Sequence, residues 1–283
     1  MTSRHLLRLV SICLVTMVTS VANGRVSASP IGHPDLKAKQ LAVSVRCTRR
    51  MVSTDSKQVR VPILMYHELN YLHRNSLGMA PGQFESEMEF LHQNDFHTIT
   101  MEQLYAALYQ QRPLPDRPIL LTFDDGYKSV YTKAYPILSR YGYKGTVFMV
   151  TDAIGSRGQH PMLTWTELLE MNRRGIMDVQ SHTVHHVDLR NASNVVTKQE
   201  LMQSAQTLSK RLGHPVRFFC YPSGKFRVAT FDFLRNSGYV LAVTEHSGYA
   251  SAKDGPYTLH RIRIYEGMPL STFRGALALS FEK

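Results

Sequence analysis

The chain has 283 residues, 43% of them hydrophobic and 19% charged, with a formal net charge of +11. This length and apolar content allow one large domain with a buried core. Only three cysteines occur, and no Cys-x-x-Cys pattern suggests a cysteine-based zinc site. The positive charge predicts attraction to anionic polymers.

Residues 1–22 have the pattern of a targeting segment. Arg4 and Arg8 stand at the start of an apolar stretch from Leu9 to Ala22, and small residues near its end could be cut by a signal peptidase. The uninterrupted apolar run is shorter than the ~20 residues that span a bilayer, which favours a cleaved signal peptide over a retained N-terminal anchor. Both interpretations predict a secreted or extracytoplasmic protein.

Residues 23–60 form a separate basic segment. They contain eight Lys or Arg against two Asp and no sustained apolar periodicity, so the sequence predicts a flexible basic linker. For an exported protein the expected partners are anionic cell-wall polymers or a membrane surface rather than nucleic acid. The alternative is that the charge only aids solubility. Cys47 lies in this linker and Cys220 in a predicted strand, so two free thiols are expected after signal removal.

From residue 61 to residue 283 short apolar runs alternate with helical patterns. The run 62–66 predicts a first strand and residues 70–82 a loop. Phe84, Met88 and Leu91 have the spacing of one buried helix face. Three capping boxes predict helix starts: Thr100 with Gln103, Thr164 with Glu167, and Thr197 with Glu200.

Glycines follow the helical patterns and predict their ends, at Gly142, Gly175, Gly213 and Gly238. An apolar segment resumes after each of them, at residues 146–150, 176–179, 216–221 and 239–243. Repeated alternation of strand and helix predicts an α/β fold of parallel strands with helices outside, and a closed or distorted barrel fits best. In such barrels the loops at one rim shape the ligand site.

Two acids and two histidines that follow apolar runs suggest a metal site. Asp124 and Asp125 end the run 119–123, and His182 and His186 lie in a later segment. A hydrolytic site uses three protein ligands and an open position, which Asp125, His182 and His186 could supply. In a helical turn residues four apart share a face, so the two histidines could bind one ion. Asp124 is then left as a separate base for a water that the metal acidifies.

Each motif alone has a simpler interpretation. An Asp-Asp-Gly triplet is usually a turn or a helix cap, and a chain with 13 histidines contains His-x-x-x-His pairs by chance. Their order after apolar strands makes the combination more specific than either part. His185 is interpreted as a neighbour of the ligands, and His67, at the end of the first strand, as a structural histidine outside the ligand set.

The motifs resemble those of a known family. Residues 122–126 (TFDDG) and 181–186 (SHTVHH) are similar to the first two motifs of the polysaccharide deacetylases, the carbohydrate esterase family 4 or NodB-homology group. The resemblance extends from about residue 62 to residue 264. It implies the family's distorted (β/α) barrel of about seven strands and a substrate that is an N-acetylated sugar polymer.

The same resemblance implies roles for four residues. Asp124 would be the catalytic base, and Asp125, His182 and His186 would bind a divalent metal. Zinc is the default ion for two imidazoles and a carboxylate, and cobalt or another first-row ion would also suit them.

The later motifs depart from the family pattern. The third commonly reads Arg-x-Pro-Tyr-Gly, but here Cys220 stands in place of the arginine, while the Ser223 backbone N–H could still stabilise an oxyanion. Arg261, in a late strand, is the candidate for the missing guanidinium; the alternative is a surface arginine paired with some carboxylate. His260 is the nearest match to the family's general acid. Because side chains alternate along a strand, at most one of His260 and Arg261 is expected to face the metal.

These observations favour an exported, metal-dependent hydrolase that removes N-acetyl groups from polysaccharide containing N-acetylglucosamine, such as peptidoglycan, a chitin-like polymer or poly-N-acetylglucosamine. One alternative is a hydrolase of the same fold that acts on another acyl or amide group. A second is a non-catalytic protein that binds cell-wall glycan. The presence of Asp124 argues against the second alternative, because a pure binding protein needs no general base.

Overall fold

The computed structural model describes residues 59–70 and 77–278 of the chain. The predicted signal segment of residues 1–22 lies outside this part, as does almost all of the predicted linker of residues 23–60 with Cys47. Within the described residues no helix is both long and apolar enough to cross a membrane. The structure thus covers most of the domain predicted for residues 61–283.

Parallel strands close into a barrel. In chain order the strands are β1 (Arg60–Val61), β2 (Ile63–Tyr66), β3 (His97–Thr98), β4 (Pro118–Phe123), β5 (Gly145–Met149), β6 (Met177–Ser181), β7 (Phe218–Cys220), β8 (Leu241–Ser247), β9 (Ala250–Ser251) and β10 (Leu259–Arg263). Around the barrel the order is β2, β4, β5, β6, β7, β8 and β10, and β10 pairs again with β2. The predicted α/β barrel of about seven strands is confirmed.

Helices surround this barrel and connect its strands. They are α1 (Pro81–Gln93), α2 (Met101–Tyr109), α3 (Tyr135–Tyr141), α4 (Trp165–Arg173), α5 (Asn194–Leu212), α6 (Thr230–Asn236) and α7 (Leu270–Ala276). The predicted helix ends at Gly142 and Gly213 are confirmed, since both residues cap a helix in the left-handed conformation. Because the barrel strands are parallel, their carboxyl ends all meet at one rim.

The first helix differs in part from its prediction. Phe84, Met88 and Leu91 are buried on one face of α1, as predicted. However, α1 begins at Pro81, inside the segment 70–82 that was predicted as a loop. Proline suits this position because the first turn of a helix leaves its N–H groups without intrahelical partners.

Two of the three predicted capping boxes are present. Thr100 and Thr164 each cap their helix together with a side chain three residues later. The third prediction is wrong, because Ser193 is the N-cap of α5 and both Thr197 and Glu200 are buried inside that helix. Glu200 points to the rim of the barrel, where it accepts hydrogen bonds from another segment.

Buried apolar side chains form two clusters, one on each side of the barrel wall. The inner cluster includes five strand residues: Ile63, Leu120, Phe148, Phe218 and Leu259. We call these five residues the apolar layer. The outer cluster packs the other faces of the strands against the helices. Every second side chain of a strand points inward. The inward side chains that come after the apolar layer, towards the carboxyl end of each strand, therefore lie in the mouth of the barrel.

Candidate active site

The two adjacent acids at the end of β4 face different partners. Asp124 is 2% exposed and lies inside the barrel mouth, two inward positions after Leu120 of the apolar layer. Asp125 has a φ of 70°, a left-handed conformation that redirects the chain directly after Asp124. Gly126 continues this turn with a φ of 90°, and a Cβ there would meet the Met149 sulfur at 2.1 Å. The turn therefore needs glycine, and it separates the directions of the two carboxylates.

Asp125 and two histidines form the candidate metal centre. Oδ1 of Asp125 lies 3.4 Å from Nε2 of His182 and 3.4 Å from Nε2 of His186. This oxygen is buried and has no hydrogen-bond partner among the described residues. Burial would raise the pKa of Asp125, but the two imidazoles hold it well below its usual value. One carboxylate oxygen and two imidazole nitrogens around a shared point fit a first-row divalent ion.

His182 is oriented by the backbone of β7. Its Nδ1–H donates a hydrogen bond to the carbonyl oxygen of Cys220, with 2.7 Å between the two atoms. Metal-binding histidines are commonly fixed in this way, with one ring nitrogen bonded to the protein and the other free for the ion. The contact leaves His182 Nε2 directed at Asp125.

The two histidines do not lie on one helical face, which corrects that expectation. β6 ends at Ser181, and residues 182–186 form a loop in which Thr183 and His186 have φ values of 70° and 57°. The His186 N–H donates to Oγ1 of Thr183, which closes the turn. His182 and His186 therefore converge because the loop doubles back, and not because of helical periodicity.

Arg261 holds Asp124 through a two-point ion pair. Its Nη1 and Nη2 donate to the two carboxylate oxygens at 2.8 and 2.7 Å, and the arginine is 1% exposed. Burial would raise the pKa of Asp124, but the guanidinium charge outweighs it and lowers this pKa to about 2. Arg261 is thus not a surface arginine, and Asp124 stays ionised at neutral pH.

Cys220 occupies the space next to this ion pair. Its Sγ lies 3.4 Å from Oδ2 of Asp124 and 3.2 Å from Nη2 of Arg261. The residue is a free, buried cysteine, and burial raises the pKa of its thiol well above the usual value. A neutral thiol stands where the family pattern has arginine, and the guanidinium comes from β10 instead.

His260 lies on the other side of β10, away from this ion pair. Its imidazole packs edge to face on that of His246, with ring centroids 5.6 Å apart, and touches the Gly248 backbone region. Leu259 and Arg261, its neighbours in the strand, are buried inward. The expected alternation is present, and Arg261 is the residue of the two that faces inward. The role of His260 as a proton donor stays a prediction.

His67 faces the base instead, although the sequence argument left it outside the site. It directly follows β2, which lies between β4 and β10 in the barrel. Its Nε2 is 3.9 Å from Oδ2 of Asp124, and burial lowers the pKa of this imidazole. The signal available in the sequence was its position at the carboxyl end of a strand, the place where ligand-binding residues of a barrel collect.

Two further residues follow barrel strands whose ends carry the site. Tyr127 follows the acid pair, and burial together with the nearby Asp125 charge raises the pKa of its phenol. Ser223 belongs to the short turn Pro222–Gly224 after β7 and has a φ of 51°. Such a conformation is uncommon outside glycine and is found at sites that expose backbone groups to a ligand.

Comparisons with known proteins show the family of this chain. A family model described as polysaccharide deacetylase matches residues 111–242. YxkH of Bacillus subtilis (strain 168), a protein named as a polysaccharide deacetylase, is 33% identical over 240 residues, which are 85% of this chain and 84% of that protein. The chain belongs to the polysaccharide deacetylase family. The predicted family and the predicted class of hydrolase, a polysaccharide N-deacetylase, are therefore confirmed.

Two other relatives of this deacetylase add detail. The poly-beta-1,6-N-acetyl-D-glucosamine N-deacetylase of Staphylococcus aureus (strain MSSA476) is 25% identical over 196 residues, 66% of this chain and 67% of that protein. The solved structure of the deacetylase PplD of Streptococcus pyogenes, in complex with acetate, is 31% identical with a TM-score of 0.73. That likeness covers 77% of this chain and 98% of PplD.

Proposed function

We propose that this polysaccharide deacetylase is an exported, metal-dependent enzyme that removes acetyl groups from N-acetylglucosamine units of a glycan. The observation that carries the proposal is the pair of neighbouring carboxylates with separate tasks. Oδ1 of Asp125 lies 3.4 Å from Nε2 of both His182 and His186, so the three side chains converge on one site. Beside them, Arg261 keeps Asp124 ionised. Metal ligation and proton transfer are thus assigned to different side chains.

Asp125, His182 and His186 would hold the ion. When bound there, a divalent ion would lower the pKa of water and polarise the acetamide carbonyl. The chain's own residues do the rest. Asp124 accepts a proton from the nucleophile, and its fixed geometry in the Arg261 pair keeps it aimed at one place.

His67 and Ser223 complete the proposed arrangement. His67, with Nε2 3.9 Å from Oδ2 of Asp124, is the proposed proton donor to the leaving amine, and the proton that Asp124 takes from the attacking water replaces the one given up, through one bridging water. The backbone N–H of Ser223 is the proposed donor to the oxygen that becomes negative during attack. The orientation of this N–H is set by the left-handed turn at Ser223 and does not require the arginine of the family motif.

The proposed substrate follows from the reaction and the relatives. The Staphylococcus aureus relative is named for deacetylation of poly-beta-1,6-N-acetyl-D-glucosamine, and PplD was solved with acetate, the product that such a reaction would release. A hydrolase of another acyl group would need the same ligands and base, so the polymer must be tested directly. The non-catalytic alternative rested on the replacement at Cys220, and it loses that support because Arg261 supplies a guanidinium to Asp124.

The test is acetate release from acetylated glucosamine oligomers by the wild-type chain. We expect release that a chelator abolishes and added zinc or cobalt restores. Asp124→Asn should lower the rate by about 10²- to 10⁴-fold, the usual contribution of a general base. Asp232→Asn, which changes an exposed aspartate on α6, is the matched control and should keep the full rate. No acetate from any acetylated glycan, with either ion present, would refute the proposed activity.

Export is proposed from the sequence of residues 1–22. The apolar stretch after Arg8 and the small residues near Ala22 match a cleavable signal. Mass measurement of the mature protein from cells that express the full chain tests this. A chain that keeps its first residues and stays inside the cell would contradict export.

A further inference from the structure

One face of α5 supports both ends of the segment that carries the two histidines. Glu200 and Ser204 are four residues apart and therefore lie on the same side of the helix. Both are buried, at 5% and 0% exposure. Oγ of Ser204 is 2.8 Å from Oγ of Ser181, the residue directly before His182. The other end of the segment, before His186, is contacted by Glu200.

Glu200 binds this second end through three contacts. Its Oε2 accepts the N–H of Val184 at 2.8 Å and the N–H of His185 at 2.9 Å. Its Oε1 lies 2.6 Å from Nδ1 of the His185 ring, which is 56% exposed on its other side. Because β6 ends at Ser181, the N–H groups of Val184 and His185 have no strand partner, and the buried Glu200 carboxylate accepts both of them.

Backbone hydrogen bonds from a neighbouring segment also hold the loop, and the position of His186 depends on how the loop is held. Thr183 and His186 both have left-handed backbone conformations, which persist only where the surroundings enforce them. Two backbone bonds from the segment after β5 reach the carbonyls of Thr183 and Val184, at 3.2 and 3.0 Å. The His186 side chain is 40% exposed, so packing alone does not fix it.

We propose that Glu200 is a positioning residue that sets His186, through the Val184 and His185 backbone, at the distance from Asp125 that a metal requires. The inference rests on the proposed metal-dependent function. It explains why His185, inside the His-x-x-x-His motif, is not a ligand: its ring bonds to Glu200 instead of turning to Asp125. It also explains why Glu200 does not serve as a capping residue.

The experiment compares metal affinity and stability in the full-length chain. Glu200→Gln keeps the size of the side chain but removes its charge and leaves one acceptor oxygen instead of two, and His185→Ala removes only the exposed ring contact. Ser209→Ala is the matched control: Ser209 also lies on α5 and accepts a backbone N–H, from Val216 at 2.9 Å, but does not touch the histidine loop. Zinc dissociation constants come from competition with a chromophoric chelator, and metal-free melting temperatures are measured in parallel.

We expect Glu200→Gln to weaken zinc binding by about 10- to 100-fold, the range seen when a support of a metal ligand is lost. His185→Ala should weaken it by less, and Ser209→Ala not at all. The Co²⁺ absorption spectrum should also change in Glu200→Gln, since the ligand geometry differs. The metal-free melting temperature should fall in Glu200→Gln, because buried hydrogen bonds are weakened, so zinc affinities are compared at a temperature where every variant is fully folded.

Three outcomes would overturn the inference. Zinc affinity of Glu200→Gln within about two-fold of wild type, with an unchanged Co²⁺ spectrum, would leave the proposed function intact and remove Glu200 from it. Equal loss in Ser209→Ala would show a general effect of α5. A wild-type chain that binds no metal would refute the proposed metal dependence as well.

Discussion

The interior of the barrel is divided into two regions made by the same strands. Along β4 the inward residues are Leu120 and Thr122, followed by Asp124 directly after the strand, and in β10 they are Leu259 and then Arg261. The apolar layer is stabilised by burial of apolar side chains, which does not require a specific partner for each of them. We call the residues above it, namely Asp124, Arg261, His67 and His182, the polar layer, and each of its members contacts a specific polar partner.

This difference teaches how the barrel separates stability from chemistry. A hydrophobic core of the right volume tolerates exchange of one apolar residue for another. A buried ion pair does not, because removal of one partner leaves an uncompensated charge out of water. Substitutions in the apolar layer should therefore change stability alone, whereas those in the polar layer should change activity and stability together.

The largest expected effect is that of Arg261→Ala. Asp124 would be left buried without its cation, which should cost about 3–5 kcal/mol in the free energy of unfolding. Acetate release per folded molecule should also fall, since the carboxylate loses its fixed orientation. Urea unfolding and the release assay measure the two effects.

Two further variants sharpen this prediction. Arg261→Lys keeps the charge but not the two-point contact, so it should keep more stability than activity. In the background of Asp124→Asn, Arg261→Ala should cost less stability than in wild type, because the two residues share one interaction. Additive effects of the two substitutions would break the assignment of Arg261 to Asp124.

Leu120→Ala tests the apolar layer. The loss of a buried leucine should cost about 2–5 kcal/mol of unfolding free energy through lost burial and a remaining cavity. The folded fraction should retain its rate of acetate release, as long as the assay is run well below the melting temperature. A large fall in rate at full folding would show that the two layers are coupled and would end the comparison.

The fold could be predicted from the sequence because its signals are local. Strand runs, left-handed glycines such as Gly142 and Gly213, and the capping box at Thr100 each act within a few residues. The wrong capping box at Thr197 had the same pattern but was preceded by a better N-cap, Ser193. Pattern alone cannot rank two such competing starts.

The site was less predictable, because its geometry joins residues far apart in the chain. The Asp124 and Asp125 motif indicated carboxylates at a strand end, but the choice between His260 and Arg261 required the direction of β10. Strand alternation predicts that only one of the two residues faces inward, but it does not predict which one. His67 was missed for the same reason, since its contact to Asp124 depends on how β2 and β4 are paired.

Glu87 on α1 offers a buried acid of the opposite kind. It lies outside the barrel, where Tyr66 and Gln83 donate to it at 2.9 Å, and no cation is paired with it among the described residues. Burial raises its pKa to about 7 despite these hydrogen bonds, whereas the guanidinium lowers that of Asp124 to about 2. The contrast isolates what Arg261 supplies to the polar layer.

The pH dependence has a definite sign. The folded chain holds the Glu87 proton more tightly than the unfolded chain, so stability is greatest below the ordinary pKa and falls as pH rises towards 7. The wild type should lose about 2 kcal/mol from this group between pH 5 and pH 8, and Glu87→Gln should lack that loss. Urea unfolding across this range, in both proteins, measures the difference. Parallel curves for the two proteins would contradict it.

Cys220 lies at the boundary of the two layers and should show the smallest effects. Its side chain packs with the apolar layer and also touches both members of the ion pair. Cys220→Ser should stay within about 1 kcal/mol of wild type, because the hydroxyl can donate to Asp124 and so avoids burial without a partner. Cys220→Ala should cost about 1–2 kcal/mol, since it leaves a small gap beside the ion pair.

Neither variant should alter zinc affinity, because His182 is held by the Cys220 backbone carbonyl, which every residue provides. Unfolding curves and chelator competition on the two variants check both statements. If serine proves the more costly replacement, Cys220 belongs to the apolar layer and its contact with Asp124 has no energetic weight. If alanine does, the polar layer extends one residue down β7, and the thiol is part of what holds the base in place.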